Sequence, residues 1–190
     1  MDTKKEIRKM VFKRRAEHTD DEIQTLSHSV YKRVCEQPEF KNADRILVYA
    51  DYNHEVMTGE MIKEAWKQGK EVAVPKVVGK DMVFYKLTTF SQLEPGYFQI
   101  PEPVSGEIVE WEDALMIMPG VAFTKNLERV GYGGGFYDRY LEKHQNVIRL
   151  AIAFEFQMAA EVPTEPTDIN PQLLVTEAAV YRNAAEEVKK

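Results

Sequence analysis

The sequence predicts a three-layer α/β/α protein, with a mostly parallel sheet flanked by helices and a pair of helices at its N-terminal side. Three observations predict it. Apolar residues recur at helical spacing as far as Gln37, the period changes at Arg45 into a β-α-β series, and later apolar runs alternate with one short helix. The chain has 190 residues, 44% of them hydrophobic and 29% charged, and a chain of that size buries roughly 70% of its unfolded surface. Residues 1–190 are therefore expected to form one domain.

Thr3 followed by Glu6 has capping-box spacing, and Ile7, Met10 and Val11 follow at helical intervals, so a first helix is expected from about Lys4 to Glu17. Thr19 and Glu22 repeat the signal. The second helix carries Ile23, Leu26, Val30 and Val34 on one stripe and should end near Gln37, before Pro38. From Arg45, ILVYA reads as a buried strand, MTGEMIKEAWKQG as a helix stopped by Gly69, and EVAVP as the next strand. MVFYKL, ALMIMP and VIRLAIAF are further strand candidates, and FYDRYLEKH is a helix between the last two. MVFYKL and the final pair, LLVTE and AVYR, are candidates for antiparallel edges. Thr88 to Glu112, rich in Pro, Gly and acidic residues, reads as a long ordered loop of the kind that often carries function.

Composition narrows the function. A net charge of −6 opposes nucleic acid as a main partner, although Lys4, Lys5, Arg8, Lys9, Lys13, Arg14 and Arg15 form a local basic cluster. The first residues have no apolar stretch of signal-peptide length, and nowhere do 18 uncharged apolar residues run together, so a cytoplasmic protein without membrane contact is expected. The single cysteine, Cys35, has no intramolecular partner for a disulfide and suits a reducing compartment. His18, His28, His54 and His144 lack metal-site spacing, and no Ser, Cys or Thr sits in a nucleophile motif, so covalent catalysis by the protein is not indicated.

The run RVGYGGGFYD, Arg129 to Asp138, is the most informative segment. Gly131, Gly133, Gly134 and Gly135 permit backbone angles that let several N–H groups face one anion, and a helix beginning near Phe136 would add its N-terminal dipole. Arg129 and Arg139 are expected to supply mobile positive charge. Asp138 would repel a phosphate unless Mg²⁺ bridged them, which makes it a metal-ligand candidate. The run is neither a P-loop nor a dinucleotide fingerprint, and a tight structural turn with a capped helix accounts for the same glycines. Lys4 and Arg8 share one helix face, where an anionic ligand would relieve their repulsion; a solvated basic face is the alternative. Glu55 follows the strand ILVYA, at the end where α/β sheets bind ligands, and could accept from ring N–H groups or stand free in a loop. Asp168, in VPTEPTDINP, is a second metal-carboxylate candidate or a turn residue.

KKEIR, NHEVMTGEMIKEAWKQGKEVAVPKV, IPEP, MPGVAFTKNLERVGYGGGFYDRYL and PTEPTDINPQLLVTE, in this order, resemble the 5-formyltetrahydrofolate cyclo-ligase family over nearly the whole chain. The resemblance implies ATP- and Mg²⁺-dependent conversion of 5-formyltetrahydrofolate to 5,10-methenyltetrahydrofolate by a monomer or homodimer acting on small molecules. It implies ATP contacts by Lys4, Lys5, Arg8, Arg129, Gly131, Tyr132, Gly133, Gly134, Gly135, Phe136 and Tyr137, with Arg129 and Tyr137 nearest the chemistry. Folate contacts are implied for Ala50, Glu55, Phe98, Tyr132 and Phe136, and Mg²⁺ contacts for Asp138 and Asp168. Two departures stand out. TKNLER replaces the Asp and Gly that many relatives carry before the arginine, and Phe136 replaces a frequent Tyr. A non-catalytic nucleotide- or folate-binding module on the same fold is the alternative reading, and an enzyme of phosphorylated sugars is a second.

Overall fold

The computed structural model describes residues 1–96 and 99–183. Helices α1 (Lys4–Ala16) and α2 (Asp20–Cys35) start where both capping boxes place them. Thr3 Oγ1 accepts from the Glu6 amide while the Glu6 carboxylate accepts from the Thr3 amide, and Thr19 and Glu22 do the same. Each such cap is worth about 1 kcal/mol. The chain does not turn to loop at Pro38, as expected, but opens a short helix α3 (Pro38–Asn42) there; proline is tolerated in a first turn, and the fully buried Phe40 holds the segment down.

The strand and helix order then follows the expected alternation: β1 (Arg45–Val48), α4 (Gly59–Lys67), β2 (Glu71–Val78) and β3 (Asp81–Lys86). Gly69, at φ +78°, ends α4 in the left-handed region that favours glycine. The segment from Thr88 to Glu112 is more structured than a loop: β4 (Leu93–Pro95) and β5 (Pro101–Pro103) pair antiparallel, and β6 (Ile108–Val109) joins the main sheet beside β3. Next come β7 (Leu115–Met118), the paired short strands β8 (Ala122–Phe123) and β9 (Arg129–Val130), helix α5 (Phe136–Lys143), and β10 (Ile148–Ile152), β11 (Leu173–Val175) and β12 (Val180–Arg182).

The main sheet runs β12-β11-β10-β7-β1-β2-β3-β6. Strands β11, β10, β7, β1 and β2 are parallel, and β3 and β12 pair antiparallel with their neighbours. LLVTE therefore corrects one expectation: β11 is a buried parallel strand, and of that final pair only β12 is an antiparallel edge, while MVFYKL forms the antiparallel β3 but lies inside β6 rather than at the edge.

Successive side chains enter opposite layers, as a pleat requires. Ile46, Val48, Leu115 and Ile117 pack under α2, α3 and α4, whereas Leu47, Met116, Ala151 and Leu174 pack against Tyr140 and Leu141 of α5. Both faces are covered, which explains the continuous apolar runs of the central strands. The connection leaving β1 passes to one face and that leaving β7 to the other, so a topological switch point lies between these two neighbours. Ligands of open α/β sheets bind beyond the carboxyl ends at such a point. Helix α1 closes this end through a separate apolar cluster, in which Ile7 and Val11 meet Val121, Ala122, Val130 and Val162.

Candidate active site

A cleft of about 1190 Å³ opens at the switch point, with Tyr49 and Ala50 from the end of β1 and Pro119 from the end of β7 on its floor. Helix α1 and the glycine run after β9 form its two walls. Gly133 and Gly135 have φ values of 104° and 70°, and Gly135 is the left-handed N-cap of α5, so a side chain at either would be strained. Guanidinium groups anchor the run at both ends: Arg8 Nε donates to the Gly131 carbonyl at 2.8 Å, and Arg139 Nη1 to the Gly134 carbonyl at 2.8 Å. The amides of Gly131 to Gly135 donate to no group among the described residues. Carbonyls held by cations and amides without acceptors make a surface that favours an anion.

Lys4 and Arg8, four residues apart, both reach this cleft, and Lys4 Nζ lies 3.2 Å from Asp168 and 3.3 Å from Glu165. Asp138 Oδ1 accepts from the Ile169 amide at 3.0 Å, which brings the first turn of α5 beside Asp168. No group of three or more His, Cys, Asp or Glu is arranged for a metal among the described residues. Two carboxylates beside an anion-favouring surface nonetheless fit Mg²⁺, which binds through one or two carboxylates together with phosphates where these are present.

Glu55 forms the other end. Its carboxylate accepts from the Tyr132 hydroxyl at 2.7 Å and from the Tyr52 amide at 2.8 Å. Burial raises its pKa to about 7, against the pull of the Tyr132 hydrogen bond and the Arg15 charge. Burial also raises the Tyr132 and Tyr137 phenols, which keeps both protonated as hydrogen-bond donors. Phe136 and Tyr137 line the cleft between the two ends.

Arg129 corrects an expectation. It is not a mobile charge: the residue is 7% exposed, its Nε donates to the Pro119 carbonyl at 2.7 Å, and its guanidinium lies 5.4 Å from the centre of the Tyr137 ring. Burial lowers its pKa, and the nearby Asp138 raises it. Arg139 is likewise tied down, with Nη2 donating to the Lys80 carbonyl at 2.6 Å. Lys5 is exposed and stays outside the cleft, and Phe98 lies outside the described residues. The remaining expected residues, Ala50 included, converge. Sequence reasoning missed Phe12 and Arg15, whose signal was their place on the Lys4 face of the helix, Phe12 four residues beyond Arg8 and Arg15 three beyond Phe12. It also missed Glu165, Pro101 and Glu102.

Residues 1–177 match the 5-formyltetrahydrofolate cyclo-ligase family. The chain belongs to this family. A probable 5-formyltetrahydrofolate cyclo-ligase of Schizosaccharomyces pombe is 33% identical over 184 residues, covering 86% of this chain and 90% of the relative. The 5-formyltetrahydrofolate cyclo-ligase of Haemophilus influenzae is 30% identical over 179 residues, covering 89% and 96%. Among solved structures, a 5,10-methenyltetrahydrofolate synthetase of Aquifex aeolicus superposes with a TM-score of 0.84 at 35% identity, covering 95% of this chain and 93% of that one. Membership of the cyclo-ligase family and the α/β fold expected from the sequence are both borne out. No helix among the described residues is long and apolar enough to cross a membrane.

Proposed function

We propose that this chain is a single-domain cytoplasmic 5-formyltetrahydrofolate cyclo-ligase, a monomer or homodimer that uses ATP and Mg²⁺ to form 5,10-methenyltetrahydrofolate, ADP and phosphate. The observation that carries the reading is the convergence of an anion-binding end (Lys4, Arg8, the glycine run) and a carboxylate end (Glu55) on one cleft large enough for two ligands. The formyl oxygen attacks the γ-phosphorus as the bond to ADP breaks. The 10-nitrogen of the folate then attacks the activated carbon and gives up its proton, and phosphate leaves with the former formyl oxygen. No protein nucleophile takes part.

The residues serve alignment and charge. Lys4, Arg8 and the free amides of the run hold the triphosphate, while Arg129, fixed by Pro119 and Tyr137, presents a positive charge that needs no reorganisation. Asp138 and Asp168 would hold Mg²⁺ on the phosphates, where it would neutralise charge on the transferring group. Glu55, ionised, would accept the ring N–H groups of the reduced folate, with Tyr132 and Phe136 against the ring system.

The test follows absorbance of the methenyl product while 5-formyltetrahydrofolate, ATP or Mg²⁺ is omitted in turn. Product is expected only when all three are present, and Asp138→Ala should lower the Mg²⁺-dependent rate by about 100-fold or more, as loss of a group that stabilises transferring charge does. Turnover without ATP would overturn the mechanism.

A further inference from the structure

Arg15 lies on the same face of α1 as Lys4 and Arg8, at the far end of the cleft, yet it is only 3% exposed. A buried guanidinium ordinarily saturates its donors. Here Nη2 reaches the Gly120 carbonyl at a long 3.3 Å, and Nε has no partner among the described residues. The group is placed chiefly by Phe12 and Tyr132: its carbon lies 5.5 Å from the centre of each ring, and it also interacts with the Tyr132 hydroxyl. Tyr132 in turn donates to Glu55 at 2.7 Å. A cation, a ring, a hydroxyl and a carboxylate thus follow one another along the cleft wall.

Among the described residues, the titratable groups that face Glu55 are Arg15 of α1, Tyr132 of the glycine run, Tyr137 of α5, and Tyr49 and Asp51 of its own segment. Arg15 is the cation among them. The Glu55 carboxylate is drawn from water by its surroundings, so a fixed positive charge close by is what favours its ionised form.

We propose that Arg15 is a positioning residue for the folate half of the cleft: stacked on Tyr132, it orients the Tyr132–Glu55 pair and holds Glu55 as an acceptor for the ring N–H groups of the reduced folate. This rests on the folate reading of Glu55. It assigns Arg15 no contact with the reacting atoms. A purely architectural arginine, docking α1 on Gly120, would affect stability and both substrates alike.

The experiment measures KM for 5-formyltetrahydrofolate, KM for ATP and kcat across about pH 5.5 to 8.5, and titrates the Glu55 carboxyl by ¹³C NMR in the ligand-free protein. In Arg15→Gln, KM for the folate should rise about tenfold at neutral pH, the magnitude of about one lost charge-assisted hydrogen bond, with KM for ATP unchanged. The acidic limb of the folate profile and the NMR midpoint should both move to higher pH. Arg15→Lys keeps the charge but loses the flat group that stacks, so its midpoint should stay near wild type while KM for the folate still rises several-fold. An unmoved Glu55 midpoint in Arg15→Gln, or equal changes in both KM values, would overturn the proposal, as would a wild-type folate KM in Arg15→Lys should the Gln variant not fold. A wild-type protein that makes no methenyl product sinks the functional reading instead, and the NMR titration still judges Arg15.

Discussion

Glu55, proposed above as the folate acceptor, would set function against stability within one side chain. Its pKa stands at about 7, above the ordinary carboxylate value of 4.5, because burial disfavours the charge. Between those values the folded protein keeps a proton that the unfolded chain has released, so stability falls as pH rises through that window. Glu55→Gln removes the penalty and preserves an acceptor for Tyr132. Its melting temperature should match wild type near pH 4 and exceed it by a few degrees above pH 7, in thermal unfolding across that range. Turnover should show the reverse, with KM for 5-formyltetrahydrofolate raised at least about tenfold at neutral pH by loss of a charged acceptor. A variant equal to wild type in both would remove Glu55 from the folate site. The same scale shows where sequence reading stops. Spacing marked Arg129 as a cation of the loop, but whether it is mobile depends on the Pro119 carbonyl, ten residues back, being turned toward it by the β8–β9 pair. Nothing in the local pattern encodes that.

The connection between β1 and α4 is pinned to the helices before it by the Met57 amide, which donates to Ser27 Oγ at 2.9 Å, and by the His54 imidazole. His54 stands at φ 60°, beside Asn53 at φ 49°, and places Nδ1 2.9 Å from the Arg15 carbonyl and Nε2 2.7 Å from Asp20 Oδ1. Both partners are acceptors only, so the ring satisfies them together as an imidazolium, and its pKa is raised, first by the Arg15 carbonyl and then by Asp20. The sign follows. This linkage stabilises the fold fully below the ordinary histidine value of about 6.5 and is lost as pH rises through the higher folded value. Asp20 is 96% exposed at its side chain, so the gain should be modest, about 0.5 kcal/mol. Asp20→Asn should accordingly unfold more easily than wild type near pH 6 and equally near pH 9 in urea titrations; a difference constant with pH would count against the linkage. Helices with a two-sided signal were the elements easiest to read, as the Thr3–Glu6 and Thr19–Glu22 boxes show. The five residues of α3 offer too few turns for a period, and three-residue strands such as β4 and β5 offer no alternation. LLV was recognisable as a strand but not in direction, since burial on both faces gives one pattern whichever way its neighbour runs.

At the scale of the molecule, the cleft joins two halves of the sheet and a helix that belongs to neither. The sequence showed most of the cationic, glycine-rich end, because glycine freedom and paired cations leave local marks, whereas the meeting of Glu55 with Tyr132 required the whole topology. A ligand bridging those parts should stabilise them jointly. At 100 times its dissociation constant, ATP with Mg²⁺ should add about 2.7 kcal/mol, which for a domain of this size is roughly 5–10 °C in melting temperature. In Arg8→Ala the shift from the nucleotide should largely disappear while the shift from 5-formyltetrahydrofolate persists, as read by thermal unfolding with each ligand alone. Equal nucleotide shifts in variant and wild type would separate Arg8 from ATP.

The bonds that close this cleft span most of the sequence: Arg8 meets Gly131 across 123 positions, and Lys4 meets Asp168 across 164. During synthesis the basic helix leaves the ribosome before the segments it packs on and then waits, its Ile7 and Val11 without their partner strands, until the glycine run and finally Asp168 emerge. A ligand that needs the whole cleft therefore cannot guide the early stages of folding. Whatever shields that helix in the interval must be something other than a ligand held by the finished cleft.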